Sequence, residues 1–210
     1  MAKQLAFHID NSACIGCKAC QIACQDKNEL PPQILWRRVF QYGGGNWVSD
    51  PSIPILYRAN GVYSYSVSVA CMHCQNPICV TVCPTKAMHK RDDGVVLVDQ
   101  TKCVGCRYCE WACPYGAPHF DQTSGVMTKC TFCEDLLAQG ENPACVDACP
   151  MRAIDYGELE DLRQKYGDID AIEPLPLDRY THPSVVITPN KHAQLSGTGT
   201  GKIQNLLEEL

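Results

Sequence analysis

The sequence contains no apolar run near the roughly 18 residues needed to cross a bilayer. Its longest such stretch, Gly94-Val95-Val96-Leu97-Val98, has the length of a single strand. The first ten residues carry one lysine and no apolar core, so no secretory leader is expected. Long Lys/Arg runs are absent and the net charge is −5, which argues against a nucleic-acid partner. The chain shows no nucleophile elbow, no Gly-rich phosphate loop and no paired-carboxylate motif, so no catalysis is expected of it alone. Its six histidines are scattered, and only His73 lies within a cysteine group, where a supporting role is expected rather than ligation. Arg37-Arg38 superficially looks like a twin-arginine export signal. It lies too deep and is followed by Gln41-Tyr42-Gly43-Gly44-Gly45, so a structural role is expected.

What the sequence does have is cysteine: 16 in 210 residues. So many thiols mean either a disulfide framework or metal ligation. Disulfide scaffolds are usually short secreted chains with a leader, and neither condition is met. The cysteines fall into four groups, an internal repeat. These are Cys14, Cys17, Cys20, Cys24; Cys71, Cys74, Cys79, Cys83; Cys103, Cys106, Cys109, Cys113; and Cys130, Cys133, Cys145, Cys149. Groups one and three have the spacing C-x2-C-x2-C-x3-C. The other two lengthen only the gap between the second and third cysteines, to four and to eleven residues.

Thiolate suits both zinc and iron–sulfur clusters. Structural zinc sites usually take two well-separated C-x2-C pairs. The run found here fits the ferredoxin pattern, in which the fourth cysteine serves the neighbouring cluster. Proline follows that cysteine three times, as Pro84, Pro114 and Pro150, while Gln25 stands in the first group. Four 4Fe–4S clusters are therefore expected. If the middle groups pair and the outer groups pair around them, crossed ligation gives four sets. Cluster one takes Cys14, Cys17, Cys20 and Cys149; cluster two takes Cys130, Cys133, Cys145 and Cys24. Cluster three takes Cys71, Cys74, Cys79 and Cys113; cluster four takes Cys103, Cys106, Cys109 and Cys83.

The expected fold is α+β: two pseudo-symmetric two-cluster ferredoxin-like modules with short helices and β-hairpins. Residues 1–35 with 119–157 would form the outer module and 65–118 the inner one. Residues 36–64 form an aromatic, Gly/Pro-containing insert, either a docking loop or a cover for the clusters. Asp93-Gly94 ahead of a β-branched run predicts a hairpin over 87–99. The i, i+4 pairs Cys20/Cys24, Cys79/Cys83, Cys109/Cys113 and Cys145/Cys149 suggest a helical turn in each. Residues 158–210 would form a C-terminal helix, near Glu158–Tyr166 and stopped by Gly167, and an extended tail. The tail includes a Pro-rich stretch to Pro189, a flexible linker at Ser196–Gly201 and a final short helix over Ile203–Leu210. Gly16 and Gly105 would permit unusual backbone angles beside cluster ligands. Lys18, Lys102, Arg107 and Lys129 would raise cluster potentials or lie solvated at the surface.

Several segments carry a family resemblance: Cys14-Ile15-Gly16-Cys17-Lys18, Trp36-Arg37-Arg38-Val39-Phe40, Gly44-Gly45-Asn46-Trp47, Cys106-Arg107-Tyr108-Cys109 and Ala112-Cys113-Pro114-Tyr115-Gly116-Ala117-Pro118. Across its length the chain resembles the four-cluster iron–sulfur (B) subunits of complex iron–sulfur molybdoenzymes, above all those of the dimethyl sulfoxide reductase type. The resemblance implies a complex with a molybdopterin catalytic subunit and an integral membrane, quinol-oxidising anchor subunit. This chain would relay electrons between them, with the outer-group clusters toward the catalytic subunit. Some relatives place Trp at the second position of group three and hold a three-iron cluster; Cys106 here implies 4Fe–4S throughout. Membrane association would come through the partner, on the outer (periplasmic) face after co-export with the catalytic subunit, with the cytoplasmic side left open. Related polysulfide, thiosulfate, selenate or formate enzymes use the same relay, and a free-standing polyferredoxin is the alternative from another class.

Overall fold

A computed structural model describes residues 3–177 and 179–206. Each cysteine group is entered by a strand and left by a strand, and this rule organises the fold. Group one lies between β1 (Leu5–Asp10) and β2 (Arg38–Ser49), and group two between β3 (Tyr57–Val69) and β4 (Met88–Lys90). Group three lies between β5 (Val96–Val98) and β6 (His119–Asp121), and group four between β7 (Val126–Thr128) and β8 (Ile154–Glu158). Every exit strand pairs antiparallel with the next entry strand: β2 with β3, β4 with β5, β6 with β7, and β8 back with β1. The result is an α+β architecture of small sheets and short helices.

The expected hairpin is β4–β5, with Gly94 at φ 85° in its turn. The insert is no loop. Its residues enter a long β2–β3 ribbon, bulged between Gly44 and Asn46 where Gly45 takes φ 91°. The base of the ribbon belongs to the core through Val39, Phe40, Tyr42, Tyr65, Val67 and Val69. Its outer end is exposed, with Trp47, Ile55 and Tyr57 in solvent. The insert thus divides into a base that joins the core and an exposed tip.

The cysteine pairs divide between helix and non-helix. Helix α1 (Ala19–Lys27) holds both Cys20 and Cys24. In α2 (Ile78–Thr81), α3 (Tyr108–Ala112) and α5 (Ala144–Asp147) only the first cysteine of the pair is helical. Cys83, Cys113 and Cys149 have left the helix, and Cys113 is extended at ψ 116°. The cause is the proline that follows each of them, which disfavours helical angles in the preceding residue. Gln25 imposes no such stop, so α1 continues to Lys27. Helix α1 packs on α5, and α2 packs on α3. A further short helix, α4 (Glu134–Ala138), occupies the long gap of group four.

After β8 the chain turns into α6 (Leu159–Tyr166), closed by Gly167 at φ 94° as expected. Leu159 and Leu162 bury against Ala6 and Val186. The Pro-rich stretch is not merely extended. It supplies β9 (Val185–Thr188), which pairs parallel with β1 and buries Val185, Val186 and Ile187. Nor is Ser196–Gly201 a free linker. Glu173 Oε1 accepts the Gly197 and Gly199 N–H groups at 2.8 and 3.0 Å, and the Tyr42 hydroxyl oxygen accepts that of Gly201 at 2.9 Å. The chain then forms β10 (Lys202–Ile203) on the edge of β2, so the expected terminal helix does not begin at Ile203. Residues 207–210 of that expectation lie outside the described residues. Among the described residues, no helix is long and apolar enough to cross a membrane.

Candidate metal centres

In groups one and three the loop between the first and third cysteines takes the same path. Gly16 and Gly105 adopt φ 70° and 65°, and Lys18 and Arg107 follow at 61° and 64° before their helices begin. Groups two and four enter their helices through Pro77 and Pro143, so that Cys79 and Cys145 are each the second helical residue. Past the fourth cysteine, groups two, three and four repeat another pattern: C-P-x-x-A. The third residue after the cysteine has positive φ (Lys86, Gly116, Arg152), and the alanine is buried (Ala87, Ala117, Ala153). Ala153 N–H donates to Cys149 Sγ at 3.3 Å, and Ala117 N–H donates to Cys113. That alanine was legible in the sequence, though its signal is only spacing. Group one departs again: Asn28, at the same offset from Cys24, offers its side-chain amide at 3.8 Å.

Other backbone amides also reach sulfur. Met88, Met127 and Phe132 donate to Cys83, Cys103 and Cys130, each at 3.4 Å. None of the sixteen cysteines forms a disulfide. Burial pushes Cys24 and Cys74 up to about 12 and Cys109 to about 11, with neighbouring thiols adding to the effect. Cys79 and Cys130 are driven higher still by burial. At Cys83 burial pushes upward too, but hydrogen bonds from Met88 and Thr85 outweigh it and the pKa is lowered. Thiols so placed ionise only where positive charge compensates, and a metal centre supplies that charge.

The thiols form an unbroken file of neighbours. Cys14, Cys17, Cys20 and Cys149 line one hollow. Cys24 lies within electrostatic reach of Cys133 and Cys145, and also of Cys20. Cys130 senses both Cys24 and Cys71. Cys74 and Cys79 sense Cys71 and Cys113. Cys103 and Cys106 act on Cys109, and Cys83 packs with Cys103, Cys109 and Cys79 around Met88, Val96 and Met127. Among the described residues no three His, Cys, Asp or Glu side chains converge on the point a single ion would occupy; the thiols are spread more widely.

The four cations singled out from sequence behave differently. Lys102 pairs with Asp99 and Arg107 with Glu110, both at the surface. Lys18 is the left-handed residue that opens α1. Lys129 is buried; it donates to the carbonyls of Val96 and Cys130, and it favours ionisation of Cys79, Cys113 and Cys130. His73 is fully buried and held well below its ordinary pKa by burial, then by Lys129 and Arg37. It is therefore neutral. Its Nδ1 accepts the Val96 N–H at 3.0 Å, and its ring stands edge-on to Phe132.

Sequence reading missed Arg37. The residue is 2% exposed and lies among Cys20, Cys24, Cys130 and Cys145, whose charge raises its pKa against the cost of burial. Arg38 does the structural work expected of the pair: Nη2 donates to the carbonyls of Tyr115 and Gly116 at 2.6 and 3.2 Å, holding the exit loop of group three.

An all-sulfur donor set in repeated groups of four, mostly buried and served by amide donors, defines an iron–sulfur protein. Comparison with known proteins agrees. Residues 62–159 match the family model described as a 4Fe-4S dicluster domain. The B subunit of the anaerobic dimethyl sulfoxide reductase of Escherichia coli strain K12 is 47% identical over 205 residues, 98% of each protein. The B subunit of the polysulfide reductase of Wolinella succinogenes is 39% identical, over 91% of this protein and 97% of its own length. A thiosulfate reductase electron transfer subunit of Salmonella typhi is 38% identical, over 77% and 79%. The protein belongs to the family of anaerobic dimethyl sulfoxide reductase B subunits, which are iron–sulfur electron-transfer subunits rather than catalytic ones.

Proposed function

We propose that this chain relays electrons through four 4Fe–4S clusters between a quinol-oxidising membrane anchor and a molybdopterin catalytic subunit, in a dimethyl sulfoxide reductase-like complex. The observation that carries this reading is the unbroken file of thiols. Taken as ligand sets, Cys14, Cys17, Cys20 and Cys149 hold the first cluster, and Cys130, Cys133, Cys145 and Cys24 the second. Cys71, Cys74, Cys79 and Cys113 hold the third, and Cys103, Cys106, Cys109 and Cys83 the fourth. Cys20 acts electrostatically on Cys24 and Cys71 on Cys130, and Cys79 and Cys83 share one packed cluster, which supports that order. The packing of α1 on α5 and α2 on α3 supports an outer module (1–35 with 119–157) nested around an inner one (65–118).

A cubane cluster supplies one-electron storage at a potential tuned by charge, hydrogen bonds and exposure. The chain's residues do the tuning. Amides of Met88, Met127, Phe132 and Ala153 aim at ligand sulfurs, and aliphatic side chains exclude water. Exposed apolar residues rim both ends of the file: Ile15, Ile22 and Met151 at the first set, Val104, Tyr108 and Trp111 at the fourth. Two such rims suit a relay docked at both ends, since exposed aromatic and aliphatic clusters mark interaction sites. The outer face of the membrane, reached with the catalytic partner, is the proposed location.

The relatives acting on polysulfide and thiosulfate favour a second reading, the same relay in an enzyme for another sulfur substrate. Anaerobic purification of the tagged chain from its native host, with iron, zinc and molybdenum counted and co-purifying proteins identified, is the test. A molybdopterin subunit and four cubanes of iron per chain are expected. A solitary chain with full iron overturns the relay between subunits, and zinc in place of iron overturns the clusters as well.

A further inference from the structure

We infer that Arg37 is the shared counter-cation of the first two clusters, holding both at more positive potentials than they would otherwise have. The inference rests on the four-cluster reading above.

Its Nη1 donates to Ser68 Oγ at 2.9 Å, and the same hydroxyl oxygen lies 3.4 Å from Cys20 Sγ. One serine thus links the guanidinium to a ligand of the first set. On another side Arg37 reaches the Cys145 thiol of the second set, with Cys24 and Cys130 close by. The Phe7 ring closes the site, with the guanidinium carbon 4.8 Å from its centroid.

Two facts about this arginine are unusual together. No carboxylate among the described residues forms an ion pair with it, and its Nη2 is buried without a hydrogen-bond partner. A guanidinium does not shed its proton in a protein, so the charge is real. An uncompensated buried ion is strongly unfavourable, and the interior must supply an anion. Neutral thiols do not, whereas cubanes ligated by four thiolates do. The orphaned Nη2 then has a partner in their sulfur.

The charge does not serve all four clusters alike. Reduction adds negative charge, so a cation in low dielectric favours it, and the benefit decays with distance. Arg37 reaches Cys145 of the second set directly and Cys20 of the first through Ser68. Lys129 acts electrostatically on thiols of the second and third. Neither is among the main electrostatic influences on Cys109, in the fourth set. Removing the Arg37 charge should therefore make two clusters harder to reduce and leave the fourth unmoved.

The test uses the intact complex, purified anaerobically as wild type, Arg37→Met and Arg37→Lys. Iron and acid-labile sulfide are counted, and each cluster signal is followed by electron paramagnetic resonance during a redox titration. In Arg37→Met, two signals are expected to shift negative by about tenfold in the reduction equilibrium, or about 59 mV for one electron. Arg37→Lys should restore most of that shift. If Arg37→Met instead loses the iron of two clusters and Arg37→Lys regains it, the shared charge is needed for loading, and the inference stands. Full iron with no shift, an equal shift of all four signals, or iron loss that lysine does not reverse overturns it. Wild-type iron short of four cubanes would fault the cluster reading itself, independently of the variants.

Discussion

The carbonyl oxygen of Gly125 lies so close beneath Gly105 that a Cβ built on Gly105 would overlap it. The turn of the β6–β7 ribbon thereby clamps the ligand loop of group three. At Gly16 the nearest atom to such a Cβ is Ser66 Oγ, at 2.5 Å, a side-chain atom that can rotate away. Both glycines have positive φ, which costs a side chain about 1–2 kcal/mol. Gly105→Ala should therefore destabilise the holoprotein by about 1–3 kcal/mol and Gly16→Ala by about 1, as read by thermal denaturation under anaerobic conditions. The reverse order would show that the clamp carries no strain.

The crossed ligand sets proposed above make a prediction that sequence proximity does not. Cys149→Ser should perturb the same cluster signal as Cys14→Ser, and a different one from Cys145→Ser, although Cys145 and Cys149 are separated by one turn of chain. If the Cys145 and Cys149 variants disturb one signal in common, each group of four serves a single cluster.

Glu173 accepts the N–H groups of both Gly197 and Gly199, and these bonds hold the Gly-rich segment to the body. Each such bond contributes about 1 kcal/mol or more. Glu173→Ala should speed amide exchange at Gly197 and Gly199 by about tenfold or more. Iron content should remain at the wild-type value, because the segment's backbone N–H groups are held by Glu173, Gln194 and Tyr42 and not by a cysteine. Unchanged exchange would mean that the Tyr42 and Gln194 contacts suffice.

His8 predicts a pH dependence. Burial lowers its pKa below the usual 6.5, against the pull of Asp10 and Asp155, while its ring stacks on Tyr166 and its Nε2 meets Thr188 Oγ1 at 2.9 Å. Near pH 6.5 the folded state therefore binds fewer protons than the unfolded chain. Its contribution to stability is whole above about pH 6.5 and is lost as pH falls through the lowered folded value. Denaturation midpoints measured from pH 7.5 down to 5.5 should fall less steeply in His8→Gln than in wild type. Equal slopes would assign the acid sensitivity elsewhere, His73 and His119 being the other lowered histidines.

Much of this was written locally and could be read locally. Asp93-Gly94 gave the β4–β5 turn, Gly167 the end of α6, and the spacing of Gly16 and Gly105 their left-handed backbone. What escaped reading depends on distant partners. Val185-Val186-Ile187 lies between Pro183 and Pro189, and only β1 beside it makes it a strand. Ser196–Gly201 has the composition of a linker, and it is ordered by a carboxylate at position 173. Tyr42 and Phe40 are core residues in a stretch whose glycines hide the alternation. Arg37 is the extreme case. Nothing adjacent to it announces burial, because the charge that permits burial sits on thiols contributed by groups one and four.

The closing of the strand cycle by β8 on β1 bears on how such a chain is made. The partners of Leu5–Asp10 are Ile154–Glu158 and Val185–Thr188, so β1 has no sheet to join until β8 and β9 have been made. Its buried Ala6, Phe7 and Ile9 must wait as an open edge while the β2–β3, β4–β5 and β6–β7 ribbons form between neighbours in sequence. Order of synthesis and order of closure therefore run oppositely at this seam. Made before either partner, β1 is locked only after those ribbons, and a chaperone that shields residues 5–10 would guard an edge where a second copy could add its own strand.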